Sequence, residues 1–297
     1  MKSLILIVNP ISGRSFIKNR IVSRIISYID RAKYDVTIRF TSYAGHATEI
    51  AAEAVEKGVH IVVAVGGDGT INEVAKSLVN TPTILGIVPC GSGNGLARHL
   101  HIPMSVRKAV GVINAGTIET IDSMMVNGRP CFCTAGIGYD AQVSAEFAKE
   151  KRRGLMTYVI KAIEGWFKYK PQEYIIKTDA LTLRRTAFAI TCANANQWGN
   201  DFHVAPRASL KDGLIDVTII HPIKFINALS MPFQILGYSF DKNPSVEYIK
   251  TSKLTIDKLD IGVAHIDGDP VVLNEPLDFH IDRNSLKVLL RTSAGNI

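Results

Sequence analysis

The stretch HIVVAVGGDGTINEV at 60–74 places a β-branched apolar run directly before Gly66-Gly67-Asp68-Gly69-Thr70 and a helix-like run directly after it. A strand that turns into a helix through a few glycines belongs to α/β architecture. Glycines let the backbone approach a phosphate closely, and the free amides of a helix start supply donors at a positive dipole end. A carboxylate inside such a site would repel phosphate, so Asp68 acts there through Mg²⁺ or accepts a proton from a substrate hydroxyl. A tight Gly/Asp turn that caps a helix is the plainer reading of the same residues.

The surrounding chain repeats the rhythm. LILIV, an amphipathic basic stretch at 16–29, YDVTIRF, HATEIAAEAVEKG and HIVVAV alternate strand and helix, and TINEVAKSLVN, TILGIVP and LARHL continue the pattern. This predicts a parallel sheet with helices on its faces and ligands beyond the carboxyl ends of the strands. After about Asp122 the texture changes to short β-rich runs, RPCFCTAGIG, EYIIKTD, RTAFAITCAN, GLIDVTII and LDFHID, with turns at Asn127-Gly128, Asp212-Gly213 and Asp267-Gly268. Such runs predict an antiparallel second domain, interrupted by helical stretches at 154–169 and 222–240.

A second glycine turn, Pro89-Cys90-Gly91-Ser92-Gly93-Asn94-Gly95, again follows an apolar strand and precedes a helix. Paired with the first it makes a nucleotide cradle; alone it is an ordinary connection. Val8-Asn9-Pro10-Ile11-Ser12-Gly13-Arg14 ends the first strand on the same predicted edge. Asn9, Ser12 and the Gly13 amide there could bond phosphate, with Arg14 or Lys18 neutralising charge. In isolation it reads as an Asn-Pro turn. Neither glycine loop matches G-x-x-x-x-G-K-[ST], and GGDGT breaks the G-x-G-x-x-G spacing, which disfavours P-loop and ordinary Rossmann enzymes.

With 297 residues, 46% of them hydrophobic, the chain can build two cored domains, and no apolar run approaches the roughly 20 residues of a membrane span. The start MKSLILIVNP reads as a buried strand rather than a secretory signal. Four cysteines without C-x-x-C spacing read as reduced and structural, in a cytoplasmic protein. A formal charge of +7 favours anionic partners. The basic residues are dispersed and carry no nucleic-acid motif, so no nucleic-acid partner is expected.

NPISGR, GGDGTINEV and GIVPCGSGNGLAR, followed by VAPRASLKDGLIDV and HIDGD, resemble the catalytic-domain family shared by diacylglycerol, sphingosine and ceramide kinases and bacterial lipid kinases. The resemblance spans most of the chain. It implies a nucleotide-binding α/β domain related to phosphofructokinases and NAD kinases, a C-terminal antiparallel β-rich domain, and an active site in the cleft. The implied boundaries are 1–122 with 285–297, and 123–284.

By the same resemblance, Thr41, Gly67, Asp68, Gly69, Thr70, Asn72 and Ser92 contact ATP or its metal, and the loops themselves add Asn9 and Gly66 as nucleotide-binding candidates. A structural Mg²⁺ is held by Asp212 and by oxygens around Ser209 and Leu214; a hairpin turn is the simpler reading of Asp212-Gly213. Where the family carries D-G-E, this chain reads Asp267-Gly268-Asp269, so the implied catalytic base is the shorter Asp269, with Asp68 as its competitor. The G-S-G-N form of the second loop is more similar to sphingosine and ceramide kinases than to the bacterial G-T-x-N-D.

The activity implied is an ATP- and Mg²⁺-dependent lipid kinase acting on a diacylglycerol or sphingoid/ceramide-type hydroxyl at a membrane surface, peripheral to the inner face. A homodimer is left open. The basic-then-apolar segment at 149–169 suits contact with an anionic surface, as it suits packing on the protein itself. Two alternatives remain: an NAD kinase-like soluble kinase, and a non-catalytic nucleotide- or lipid-sensing module.

Overall fold

The computed structural model describes residues 1–10, 18–148, 165, 168–223, 230–258, 262–273 and 275–291. All but 165, 168 and 169 of the predicted helix at 154–169, and most of the basic-then-apolar segment, lie outside these residues, as do 11–17 of the first loop. The chain divides into two compact units, Met1–Ile121 with Asn284–Ile297, and Asp122–Arg283.

In the first unit, β1 (Lys2–Val8), β2 (Tyr34–Phe40), β3 (Ile61–Gly66) and β4 (Ile84–Pro89) form a parallel sheet in the order β2-β1-β3-β4. All six residues of β3 are buried, as expected of a central parallel strand covered on both faces. Among the described residues five helices belong to this unit: α1 (Lys18–Tyr28), α2 (His46–Glu56), α3 (Asp68–Leu78), α4 (Gly95–His99) and α5 (Val106–Ala115). On α2 the buried positions Ala47, Ile50, Ala51 and Ala54 follow the helical period, so one stripe is removed from water and the rest stays solvated.

The register matters more than the strand count. Val8 pairs with Phe40 and with Val65, and Gly66 pairs with Pro89. The four strands therefore end nearly flush, and their next residues, Asn9, Thr41, Gly67 and Cys90, emerge at one edge.

The second unit is antiparallel. After β5 (Thr117–Val126), β6 (Arg129–Cys131), β7 (Thr134–Gly138) and α6 (Tyr139–Ala148) come β8 (Gln172–Thr178), β9 (Thr182–Ala187), β10 (Ala189–Ala193) and β11 (Ile215–Ile220). A short helix, α7 (Met231–Leu236), precedes β12 (Val246–Thr251), β13 (Lys253–Lys258), β14 (Gly262–Ile266), β15 (Asp269–Leu273) and β16 (Leu277–Leu290). One sheet runs β12-β11-β10-β7-β14-β15. A second joins the N-terminal part of β16 to β13, β8 and β9, and Met124, Tyr174, Leu254 and Phe279 pack with Ile137, Ile190 and Val217 in one core cluster.

The division at Arg283 falls inside β16, whose later residues belong to the first unit and pair in parallel with β4 at Val288 and Leu85. Asn127-Gly128 and Asp267-Gly268 have positive φ at both positions (46° and 75°, 50° and 86°), the type I′ geometry that suits two-residue hairpins.

Two expectations need correction. RPCFCTAGIG is two strands, broken at Phe132-Cys133, because the amides there turn toward the Asp267 carboxylate instead of a ladder partner. The helical stretch at 222–240 narrows, among the described residues, to α7 and a 3₁₀ turn at Phe240–Lys242, since Gly237 ends the helix. Trp198 packs against the cluster that includes Tyr139, Phe188 and Phe240. The four cysteines carry no disulfide, and burial pushes the Cys131 and Cys192 thiols well up.

Candidate active site

Two glycine turns meet at the edge where the parallel strands end. A Cβ on Gly91 would lie 2.6 Å from the Gly67 Cα, and the Cys90 amide donates to the Gly66 carbonyl at 2.7 Å. Only residues without side chains permit this approach. The Asp68 carboxylate closes the junction: Oδ2 accepts from the Asn94 amide at 2.7 Å and Oδ1 from the Gly95 amide at 2.6 Å. Asp68 thus ties the start of α4 to the start of α3.

Asn94 completes the second turn. It is buried in the left-handed conformation (φ 54°), and its side chain accepts from the Gly91 amide at 3.0 Å and donates to the Gly91 carbonyl at 2.8 Å. Arg98 Nε donates to the Gly93 carbonyl at 3.0 Å, which sets a permanent positive charge beside the turn. Ser92 stands exposed within this turn.

α3 begins on Gly67 with no side-chain cap, so its first-turn amides have neither an intrahelical carbonyl nor a side-chain oxygen from the cap position. Gly69, exposed in that first turn, has open space where a Cβ would be. A surface of this kind fits a phosphate group. Asn9 Nδ2 donates to Thr70 Oγ1 at 3.0 Å, and the Thr41 amide donates to the Val8 carbonyl at 3.0 Å. The edge therefore gathers Asn9, Thr41, Gly66, Gly67, Asp68, Gly69, Thr70, Asn72 and Ser92 onto the ends and first turns that follow β1 to β4, with Thr41, Thr70 and Asn72 buried. Ser12, Gly13 and Arg14 fall outside the described residues.

Two residues that the sequence reading passed over shape this edge. Glu73, in the second turn of α3, accepts from the amides of Gly45 (2.9 Å) and Ala47 (3.1 Å) and so caps α2 from a neighbouring helix. Asn94 is the other; its place between two glycines at a helix start is the signal of a left-handed turn residue.

The remaining predicted residues lie in the second unit. Asp269 is exposed at the first position of β15, just after the type I′ turn. Its neighbour Asp267 is the anchored member of the pair, taking the amides of Phe132, Cys133 and Thr134 at 2.9, 2.7 and 3.2 Å and the Cys131 thiol at 3.2 Å. Sequence reading saw only a turn residue there.

In the turn at 209–214, Asp212 Oδ1 accepts from the Leu214 amide at 3.1 Å and Oδ2 from Lys250 Nζ at 3.0 Å, while Ser209 Oγ accepts from the Lys211 amide at 3.3 Å. Lys250 also reaches Asp216 Oδ1 (3.3 Å) and the Arg207 carbonyl (3.2 Å). Burial pushes the Asp216 carboxyl up to about 6 against the pull of Lys250, and its Oδ2 is buried without a partner. A hard cation here would have to displace the Lys250 ammonium from Asp212 and Asp216; Asp212 keeps lone pairs and Asp216 Oδ2 is an acceptor still to be satisfied, and among the described residues no three acidic, His or Cys side chains gather as ligands. Asp212, with oxygens around Ser209 and Leu214, would hold such an ion, and its work there would be structural.

Comparison with known proteins gives the family. The diacylglycerol kinase catalytic domain family matches residues 3–126, and the YegS C-terminal NAD kinase beta sandwich-like domain matches residues 133–290. The chain belongs to the diacylglycerol kinase family. The diacylglycerol kinase of Bacillus subtilis is 28% identical over 275 residues, 91% of this chain and 90% of that one. An uncharacterized protein of Synechocystis, sll0036, is 30% identical over 254 residues, 81% of this chain; the match spans only 58% of that longer protein.

Among solved structures, a diacylglycerol kinase from Bacillus anthracis has a TM-score of 0.74 at 18% identity, covering 98% of this chain and 97% of the other. A second structure from that organism reaches 0.80 at 20%, covering 98% and 96%. At these identities the structures speak for the fold, an α/β domain followed by a NAD kinase-like β domain, and the family membership places the chain among lipid kinases at that level. Among the described residues no helix is long and apolar enough to cross a membrane.

Proposed function

We propose that this protein is an ATP-dependent lipid kinase that transfers the γ-phosphoryl group to a hydroxyl of a diacylglycerol or sphingoid/ceramide-type lipid at a membrane surface. The observation that carries the reading is the junction of the two glycine turns by Asp68, which leaves an uncapped helix start beside a fixed arginine. Phosphoryl transfer needs little covalent help from a protein; it needs the phosphates positioned and their charge offset.

The amides at the start of α3 and the turn at Gly91–Asn94 cradle the phosphates, and Arg98 offsets their charge. Asn9 and Thr70, already bonded to each other, border the cradle. A Mg²⁺ ion held with the nucleotide would supply charge neutralisation as a Lewis acid. Asp68 fixes the geometry of both turns. Asp269, exposed on β15, is taken as the base, with Asp68, whose two oxygens each already accept one amide, as its competitor. A peripheral stay at the inner membrane face follows from a substrate that does not leave the bilayer.

The test is transfer from [γ-³²P]ATP to mixed micelles containing diacylglycerol, sphingosine, dihydrosphingosine, ceramide or monoacylglycerol, with NAD as a soluble acceptor and Asp68→Asn as the blank. Labelled lipid absent from the blank supports the reading and names the acceptor. Label confined to NAD moves the protein to the soluble kinases, and ATP binding without any labelled product makes it a sensing module.

A further inference from the structure

Exposed aromatic rings are ordinarily left to move, because holding one costs rotamer entropy and buries little apolar surface. Tyr43 departs from this. It lies in the turn between β2 and α2, two residues past Thr41, and is 56% exposed, yet it is held at both ends. Its hydroxyl donates to Glu49 Oε2 at 2.6 Å, and its ring stacks on His46 with centroids 4.5 Å apart and planes within 5°.

The support is itself fixed. His46 Nδ1 accepts from the Ser42 amide at 3.0 Å, which sets the tautomer and the tilt of the imidazole. Gly45, at φ 89°, closes the turn, and Glu73 of α3 clamps the amides of Gly45 and Ala47. Thr48 Oγ1 bonds the Glu73 carbonyl at 3.0 Å. The helix that starts at the glycine turn thus sets the attitude of the Tyr43 ring. One face of the ring rests on His46, and packing in the core does not account for the other.

We infer that the open face of Tyr43 is the stacking platform for the purine base of the nucleotide whose phosphates occupy the glycine turns. The inference rests on the nucleotide reading above and adds to it the residue that recognises the base. A π face accepts any base, so Tyr43 contributes affinity for the nucleoside part and little choice between purines. Its effect belongs in nucleotide affinity and KM, with kcat left to the phosphate cradle.

Isothermal titration of the full chain with Mg-ATP and, separately, with Mg-tripolyphosphate tests this in the wild type, Tyr43→Phe and Tyr43→Ala. Tyr43→Ala is expected to weaken ATP roughly ten-fold and to leave tripolyphosphate unchanged. Tyr43→Phe, which keeps the ring and loses only the Glu49 bond, binds ATP within about two-fold of wild type. Wild-type ATP affinity in Tyr43→Ala overturns the inference and leaves the nucleotide reading standing. Equal weakening of both ligands overturns it too, since the turn and not the base contact was then lost. A wild-type protein that binds neither ligand removes the nucleotide reading itself, and the inference falls with it.

Discussion

The Asp68 carboxylate and the Gly95 amide are joined by a 2.6 Å hydrogen bond that ties the turn after β3 to the turn after β4. With the companion bond to Asn94 at 2.7 Å, it makes one rigid surface from two loops whose bonded residues are 26 and 27 apart in sequence. An asparagine here offers one acceptor and one donor where two acceptors are needed, so one amide faces an N–H. Asp68→Asn is expected to melt within a few degrees of wild type and to lose about 10²-fold or more in turnover. Turnover close to wild type, measured beside the melting temperature, would show that the clasp is dispensable.

Asp269 is assigned the base role although it is one methylene shorter than the residue its family carries there. Asp269→Asn is expected to bind ATP with wild-type affinity while kcat falls roughly 10²-fold, the scale of a lost general base. Asp269→Glu restores the family's reach and keeps most of the activity. Rapid-quench single-turnover kinetics separate the step; a defect confined to ATP affinity would contradict the assignment.

Asp267, by contrast, is a stability residue. Its carboxylate serves three successive amides, and Asp267→Ala leaves them without that acceptor in a part-buried turn. The expected loss is about 2 kcal/mol or more, since unpaired amides cost on the order of 1–3 kcal/mol each when water cannot reach them. Urea unfolding checks this: an unchanged midpoint would mean that solvent replaces the carboxylate.

Glu247 sets an acid limit. Arg185 meets it with two bonds, Nε to Oε2 at 2.8 Å and a terminal guanidinium nitrogen to Oε1 at 3.1 Å, and His221 adds a third partner. The Arg185 hydrogen bond first, then the Arg185 and His221 charges, hold its carboxyl below the ordinary 4.5, with burial opposing. The folded value lies under the unfolded one, so this stabilisation is complete above the ordinary value and is lost as pH falls through the folded value. Glu247→Gln should therefore melt lower than wild type at pH 6 and converge with it toward pH 3. Parallel melting curves across that range would count against the pairing.

Much of this architecture was legible in the residues themselves. IVVAVG followed by GGDGT announces a buried parallel strand and a helix start, and the structure places β3 and α3 there. Asn127-Gly128 and Asp267-Gly268 announce type I′ turns, because those residues tolerate positive φ, whereas at Asp212-Gly213 only the glycine has positive φ. Three features were not legible, each because it depends on residues far apart in the chain. Asp68 reads as a substrate-facing acid until the Asn94 and Gly95 amides are seen beside it. The break in RPCFCTAGIG makes sense only once Asp267 arrives from 133 residues or more away. Glu73 looks like an ordinary helix residue, and its partners, Gly45 and Ala47, start a different helix.

The central claim is that the paired glycine turns are the phosphate cradle of a lipid kinase. Gly91→Val tests it most directly, because the added side chain meets the Gly67 Cα at 2.6 Å and Asn94 Oδ1 at 2.9 Å and must push the two turns apart. The measurement is γ-phosphoryl transfer from labelled ATP to lipid in mixed micelles, by wild type and Gly91→Val, with circular dichroism showing both chains folded. The account predicts labelled lipid from the wild type and almost none from the folded variant. Equal labelling by the two proteins would contradict it.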